Sequence, residues 1–260
     1  MFAVCYVDYT QIARRAKAFT LIMTVLLLAG TVFGGVMVNG SLSYISVGVG
    51  FVNIPMFALL QVPLYGAVLY TYRGQGYRGL VKGILWTIPA YVSICVAGSM
   101  NLLRFILIYA IVLTAAVYRD YFQVSKLRAI VGIWVLALGS GALVVANVLE
   151  EQAVFATPAT GSIETSYQSY MIGKLLSGCQ LIGKGQALTE PLSEIPGKMD
   201  YALAYTAAYA GMLPAVLVSA VVILVIIKAL LSVTGQKNKQ GALMGIGCAA
   251  VTLVQIGEYV

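Results

Sequence analysis

The sequence contains no histidine, and only 10% of its 260 residues are charged. Histidine is the commonest general base and metal ligand near neutral pH, so its absence leaves acid–base chemistry to carboxylates, lysines and tyrosines. Carboxylates are themselves scarce, with nine Asp and Glu residues in the chain. The four cysteines, Cys5, Cys95, Cys179 and Cys248, have neither metal-type nor paired spacing. Neither a disulfide framework nor a cysteine metal site is therefore expected.

Hydrophobic residues make up 60% of the chain, and its mean hydropathy is +0.92. Such a composition leaves too little polar surface to cover a soluble globule, so the sequence predicts an integral membrane protein. Several apolar runs reach the roughly 17 to 25 residues that a helix needs to cross a bilayer. The alternating strands of a membrane barrel are absent from the sequence. The expected fold class is all-α, a polytopic membrane helix bundle.

The apolar runs predict seven transmembrane helices within a single membrane domain, residues 1–260. The predicted spans lie at about 18–38, 54–72, 83–98, 102–118, 129–148, 201–227 and 241–260. Pro89 is expected to kink the short third span. Glycines in GTVFGG and GALMGIGC are the small residues that allow close packing of helices.

Basic residues occur in four alternate connections of this arrangement. Twelve of the sixteen cations belong to these connections: Arg14, Arg15, Lys17, Arg73, Arg78, Lys82, Arg119, Lys126, Arg128, Lys228, Lys237 and Lys239. By the positive-inside rule these connections and the amino terminus are cytoplasmic. The net charge of +7 is spread over short clusters rather than one patch, so no nucleic-acid partner is expected.

The connection at about residues 149–200 is long and contains six of the nine acids. It is predicted to be extracytoplasmic, and long loops of this kind are usually functional or disordered. Within SYQSYMIGKLLSGCQLIGKG, an apolar stripe predicts an amphipathic helix at residues 167–176. This helix either lies at the outer interface or dips back into the membrane, or it is a surface helix that covers the top of the bundle.

Asp200 is a candidate catalytic residue, because it lies where the long loop meets the sixth predicted span. A helix start favours an anion, although capping is the more usual role of a lone aspartate there. Glu190 and Glu194 precede it closely. Together these carboxylates could raise one another's pKa or hold a divalent cation, and the alternative is a solvated acidic loop.

Lys174, Lys184 and Lys198 are the lysines of the same loop. Their ammonium groups could bind the phosphate oxygens of a lipid headgroup, or interact with membrane lipid without specificity. The glycines on either side of Lys184 in LIGKGQ favour a tight turn, but the sequence lacks the spacing and the Ser or Thr of a P-loop.

Several stretches, taken in order, resemble the SEDS family (FtsW, RodA and SpoVE), membrane glycosyltransferases that polymerise peptidoglycan from lipid II. They are VNGSLSYISVG, NIPMFALLQVPLYGAVLY, SYQSYMIGKLLSGCQLIGKG, LSEIPGKMDYALAYTAAYAG and QGALMGIGCAAVTLVQIGEYV. The family has ten spans, and the seven predicted here resemble its third to ninth. The resemblance therefore implies part of a ten-helix fold, in a divergent chain truncated at both ends.

The resemblance also implies roles for particular residues. Asp200 matches the family's proposed catalytic aspartate, and Tyr167, Glu194, Gly183, Gly185 and Gly211 match other motif positions. Tyr167, Lys174, Lys184 and Glu194 would bind the substrate. These lysines or a divalent cation would offset the charge of the leaving pyrophosphate.

The implied setting is the bacterial plasma membrane, in division, elongation or sporulation. The implied partners are lipid II and a membrane-anchored transpeptidase, a class B penicillin-binding protein.

Departures from the family pattern leave the enzymatic activity open. Phe57 stands where the family has a glutamate, and Ala208 and Tyr209 replace a pair of glutamates. One alternative is therefore an inactive SEDS-like scaffold or regulator of a cell-wall complex. A lipid flippase or transporter is a further alternative, but such proteins usually place ionisable groups near the bilayer midplane. The predicted spans contain almost none.

Overall fold

The computed structural model describes residues 9–38, 41–47, 50–95, 99–156, 176–185 and 202–259. The predicted class is confirmed, since the protein is an all-α polytopic membrane protein with one small sheet. The elements are α1 Tyr9–Arg14, α2 Ala16–Gly34, β1 Gly35–Val38, β2 Ser41–Ser46, β3 Phe51–Asn53, α3 Ile54–Ala58, α4 Gln61–Thr71, α5 Gly76–Leu85, α6 Ile88–Ile94, α7 Ser99–Tyr118, α8 Lys126–Ala156, α9 Ala202–Ala210, α10 Met212–Thr234 and α11 Lys239–Tyr259.

Five helical segments of the described chain are long and apolar enough to cross a membrane, against the seven predicted. They are Ala16–Gly34, Ile54–Thr71, Asn101–Tyr118, Lys126–Val145 and Met212–Val233. The predicted seventh span corresponds to α11, which is 21 residues long but less apolar, since it includes Lys239, Gln240, Gln255 and Glu258. The predicted third span is absent as a continuous helix.

Two short helices replace that third span. Helix α5 has 10 residues and α6 has 7, and they are separated at Trp86 and Thr87. The prediction that Pro89 kinks a span is wrong, because Pro89 lies in the first turn of α6. Proline suits that position, where its missing N–H would have no helical partner. Pro89 therefore helps to begin a helix.

Helix α8 continues to Ala156, eight residues beyond the predicted end at residue 148. The added sequence, LEEQAVFA, includes two glutamates and a glutamine. The hydropathy pattern predicts that the membrane span ends before these residues. Leu, Glu, Gln and Ala are nevertheless good helix formers, so the helix continues. The first part of the predicted long loop is therefore helical.

The uncharged connection after the first span forms a three-stranded antiparallel sheet in the order β1-β2-β3. Gly35 pairs with Ile45 and Val36 with Tyr44, while on the other edge of β2 Ile45 pairs with Val52. A Cβ at Gly30 would lie 2.6 Å from Ile45 Cδ1. The glycine at the end of α2 thus allows the sheet, rather than another helix, to approach.

The described chain divides into two compact units. The first unit comprises residues 1–148 and 229–254. Its core contains the buried aromatic residues Tyr65, Phe105, Tyr109 and Phe122. The Tyr65 and Tyr109 rings meet edge to face with centroids 4.6 Å apart, and the Tyr65 hydroxyl donates to Gly83 O at 3.0 Å.

Glycines bring α4 and α11 together inside the first unit. A Cβ at Gly66 would lie 2.7 Å from Leu243 O, and one at Gly247 would lie 3.0 Å from Val62 O. Small residues allow the backbones of membrane helices to approach in this way. The packing role predicted for the glycines of GALMGIGC is confirmed at this contact.

The second unit comprises residues 149–228 and 255–260. It contains the described parts of the long loop, residues 149–156 and 176–185, together with α9 and most of α10. These elements form the candidate functional site.

Candidate functional site

The helix predicted at 201–227 is divided at Gly211 into α9 and α10. Gly211 has a φ of 106° and donates its N–H to Ala207 O at 3.0 Å. A glycine with positive φ is a common way to end a helix, and Pro214 follows within the first turn of α10. The sequence AGMLP therefore both ends α9 and begins α10.

This division corrects the position of the sixth span. The segment that can cross the membrane is Met212–Val233, and the 9-residue α9 precedes it as a separate helix. The spanning segment begins twelve residues after Asp200 in the sequence, and the predicted role of Asp200 stays a prediction. Within the described chain, residues of the loop segment Gln180 to Gly185 contact that end of α10, and Asp200 lies outside the described residues.

The loop segment supplies hydrogen bonds to both sides of the break. Met212 N donates to Gln180 O at 2.9 Å, and Leu213 N donates to Leu181 O at 3.0 Å. The first N–H groups of a helix have no partner inside it, so these two carbonyls satisfy two donors at the start of α10.

At the end of α9 the loop segment donates the hydrogen bonds, and the helix carbonyls accept them. Gly183 N donates to Ala210 O, and Gly185 N donates to Ala208 O, each at 2.9 Å. Four backbone hydrogen bonds thus join the segment to the two helix ends. A membrane protein tolerates irregular backbone where other protein groups form hydrogen bonds with it. The loop segment provides such partners on both sides of the break at Gly211.

Gly211 makes this close contact possible, and Gly183 and Gly185 allow the conformation of the loop segment. A Cβ at Gly211 would lie 2.7 Å from both Ile182 Cα and Leu181 O, and one at Gly185 would lie 2.6 Å from Gly178 O. Gly183 has a φ of 97°, which L side chains rarely adopt. The resemblance to the SEDS family placed Gly183, Gly185 and Gly211 on motif positions, and the structure brings all three together.

Lys184 lies between two of these glycines, and its side chain is exposed. Leu181 and Ile182 are also exposed, by 74% and 70%. Exposed apolar side chains beside an exposed cation are typical of a segment at a membrane interface. Burial raises the pKa of the nearby Cys179 thiol, which keeps it protonated at neutral pH and a poor nucleophile.

Of the predicted site residues, Lys184 lies within the described part of the chain. Asp200, Glu194, Tyr167 and Lys174 lie outside the described residues, as does most of the amphipathic helix predicted at 167–176. The described ranges contain no group of three His, Cys, Asp or Glu side chains that could hold a metal ion. The carboxylates predicted as cation ligands, Glu190 among them, belong to the part not described.

Ala208 and Tyr209, which stand in place of a glutamate pair in the resemblance, have different environments. Ala208 is 1% exposed, and its carbonyl accepts the bond from Gly185. Tyr209 is 51% exposed and stacks on Tyr205, with ring centroids 6.4 Å apart. The position that the family gives to an acid is here a buried methyl group within the junction.

One chain of a solved structure is similar to this protein over 98% of its length. That structure is of a peptidoglycan synthase complex, and its description concerns the structural coordination of polymerization and crosslinking. The TM-score is 0.66, the sequence identity is 16%, and 74% of the solved chain is covered. The two chains share a fold. No family model and no curated protein matches the sequence.

Sequence reasoning missed the break at Gly211 and the partner carbonyls of Gln180 and Leu181. A signal for the break was present, because glycine followed three residues later by proline combines a helix stop with a helix start. No sequence signal identifies Gln180 or Leu181, because they act through backbone atoms that every residue possesses.

Proposed function

We propose that the protein is a SEDS-like membrane component of cell-wall synthesis, and that it polymerises peptidoglycan from lipid II. The observation that carries this proposal is the fold shared, over 98% of the chain, with a chain from a peptidoglycan synthase complex. The ordered family motifs give independent support, since three of their glycines meet at one junction.

Asp200 is the proposed general base. Its carboxylate takes the proton from the sugar 4-hydroxyl of one lipid-linked disaccharide as that oxygen attacks the anomeric carbon of the growing chain. A new C–O bond forms, the bond from the anomeric carbon to the pyrophosphate oxygen breaks, and undecaprenyl pyrophosphate leaves. Positioned proton transfer of this kind typically contributes about 10²- to 10⁴-fold to the rate.

Lys184 is proposed to bind the departing pyrophosphate. Its ammonium is exposed, and its backbone is held between two glycines that are bonded to the end of α9. A cation beside developing negative charge stabilises a transition state electrostatically. Tyr167, Lys174 and Glu194 complete the proposed substrate-binding set.

The test is polymerisation of lipid II by the full chain in proteoliposomes, alone and with a membrane-anchored transpeptidase. Asp200→Asn is expected to lower the rate by about 10²-fold or more, because asparagine cannot accept the proton. The matched control is Asp120→Asn. Asp120 pairs with Lys126 at 2.7 Å on the surface and has a φ of 58°, which asparagine tolerates. Equal rates for Asp200→Asn and the unaltered chain would refute the proposed base.

A second function, a non-catalytic scaffold of a cell-wall complex, is favoured by Ala208. At the family's acidic position this side chain is 1% exposed and carries no charge. A scaffold is expected to co-purify with a membrane-anchored transpeptidase and to yield no polymer at any divalent-ion concentration. Polymer made by the purified chain excludes this function, whereas its absence under all these conditions excludes the glycosyltransferase.

A further inference from the structure

Helix α5 has two unlike faces. Gly79, Leu80 and Gly83 are buried. Tyr77, Val81 and Leu85, which recur at every fourth position, are exposed by 52%, 55% and 55%. Arg78 and Lys82, also four residues apart, are exposed beside them. A helix that exposes an apolar row next to a basic row is typical of a membrane interface.

The buried face of α5 lies against the end of α4. A Cβ at Gly79 would be 2.6 Å from Tyr72 O, and one at Gly83 would be 2.7 Å from Leu69 Cδ2. Because Leu69 belongs to the segment Ile54–Thr71, which can cross the membrane, α5 lies where that segment ends. The exposed apolar row is therefore placed at the boundary between hydrocarbon and headgroups.

Two lysines from different helices approach one aromatic pair at this boundary. Lys17 Nζ is 4.3 Å from the centroid of the Tyr72 ring and 5.9 Å from that of the Trp86 ring. Lys82 Nζ is 5.7 Å from the same Tyr72 centroid. Trp86 Nε1 donates to the Tyr72 hydroxyl at 2.8 Å, which fixes the two rings relative to each other.

No acid within the described ranges balances the charges of this cluster. Within the described ranges, neither Lys17 nor Lys82 forms an ion pair with a carboxylate, and Lys82 Nζ donates instead to Gln75 Oε1 at 3.4 Å. Arg78 adds a further positive charge one turn before Lys82. Both ammonium groups lie near the same ring and repel each other, so an anion bound beside them would stabilise the arrangement.

We propose that Lys17 and Lys82, on the Tyr72–Trp86 pair, form a binding site for the phosphate headgroup of an anionic membrane lipid. The ammonium groups bind the phosphate oxygens, and the exposed row of α5 contacts the lipid's acyl chains. A free phosphate would use the lysines alone, whereas a lipid also uses Val81 and Leu85. This combination of a basic pair with an adjoining apolar row favours the lipid.

The experiment measures the affinity of the detergent-solubilised full chain for phosphatidylglycerol, with phosphatidylcholine as the neutral probe, by native mass spectrometry. The unaltered chain is expected to retain phosphatidylglycerol selectively. The Lys17→Gln/Lys82→Gln double variant is expected to bind it about tenfold more weakly, since each cation near a membrane surface contributes appreciably to anionic-lipid binding. Binding of phosphatidylcholine should not change.

A matched control is Lys228→Gln/Lys237→Gln, which removes two exposed cations for which no contact with an aromatic ring is present in the described chain. Its affinity should stay within about twofold of the unaltered value. A loss as large in the control as in the Lys17/Lys82 variant would overturn the site, because net charge alone would then explain binding. Displacement of the lipid by millimolar glycerol phosphate would overturn the choice of a lipid over a free phosphate.

Trp86→Leu tests the aromatic platform without changing charge. It is expected to weaken phosphatidylglycerol binding about threefold, because cation–π contacts stabilise the lysine positions modestly. An unchanged thermal unfolding temperature would show that this variant is folded. A folded variant that retains full affinity would remove the aromatic pair from the site.

Discussion

At Gly211, any side chain would meet two obstacles, the backbone angle and the neighbouring segment. Its φ is 106°, and a Cβ would lie 2.7 Å from Ile182 Cα. Gly211→Ala is therefore expected to destabilise the protein by about 1 to 3 kcal/mol, the usual cost of one strained residue. The measurement is the free energy of unfolding in mixed detergent and SDS.

Gly132→Ala provides the matched control. Gly132 lies inside α8 and a Cβ there would meet nothing within 4 Å. Alanine lowers the backbone entropy lost on helix formation, so this variant is expected to be neutral or stabilised by about 0.5 to 1 kcal/mol. If both variants had the same stability, the proposed role of Gly211 in the junction would be wrong.

Among the elements, the positions of the long apolar helices could be predicted from sequence, but their ends and breaks could not. Hydropathy locates α7 and α8 because apolar runs must lie in the hydrocarbon core. It does not reveal that LEEQAVFA extends α8, because these residues are helical without being apolar. Nor does it separate α9 from α10, since residues on both sides of Gly211 are apolar.

The candidate site was predictable to a lesser extent. Lys184 and its flanking glycines were recognised from LIGKGQ, because glycines around a polar residue favour a turn. The pairing of that turn with Ala208, Ala210, Met212 and Leu213 depends on backbone groups distant in sequence. Local patterns do not determine such long-range pairing. The roles of Asp200, Glu194, Tyr167 and Lys174, which lie outside the described residues, stay predictions.

A buried polar contact joins α4 to α6. Gln61 Nε2 donates to Ser93 Oγ at 3.1 Å, Ser93 Oγ donates to Pro89 O at 2.8 Å, and both side chains are fully buried. Ser93→Ala removes the partner of the Gln61 amide and is expected to destabilise the protein by about 1 kcal/mol. Unfolding in mixed detergent and SDS measures the change.

Two further variants separate this contact from a general effect of losing a hydroxyl. Ser140→Ala removes an exposed hydroxyl that bonds Ala137 O of its own helix, so its effect should stay below about 0.5 kcal/mol. Adding Gln61→Leu to Ser93→Ala should restore most of the stability, because no buried amide is then left unsatisfied. Additive losses in that double variant would contradict the proposed contact.

For the whole molecule, the alternation of basic connections implies one orientation in the membrane. We propose that the connection between α7 and α8 is cytoplasmic and that the connection between α8 and α9 is extracytoplasmic, following the positive-inside rule. The first connection includes Asp120 and Ser125, and the second includes Cys179. Orientation can therefore be measured with thiol reagents at these two places.

A chain retaining Cys179 as its one thiol, with Cys5, Cys95 and Cys248 replaced by serine, should react with a membrane-impermeant maleimide in intact cells. Its labelling should be slow at pH 7, because burial raises the pKa of the Cys179 thiol and leaves little thiolate. The rate should rise with pH and continue to rise beyond the usual thiol range. Time courses of labelling at several pH values give both results.

The matched control places a thiol on the opposite side by Ser125→Cys in a chain from which all four native cysteines are removed. Ser125 is exposed just before α8, so its thiol should titrate near the usual cysteine range. It should be labelled only after the membrane is permeabilised, whereas Cys179 reacts beforehand. Labelling of both thiols before permeabilisation, or of both only after it, would contradict the orientation. Labelling of Cys179 only after permeabilisation would also exclude chemistry on the extracytoplasmic face, because the proposed base Asp200 follows Cys179 in the same connection.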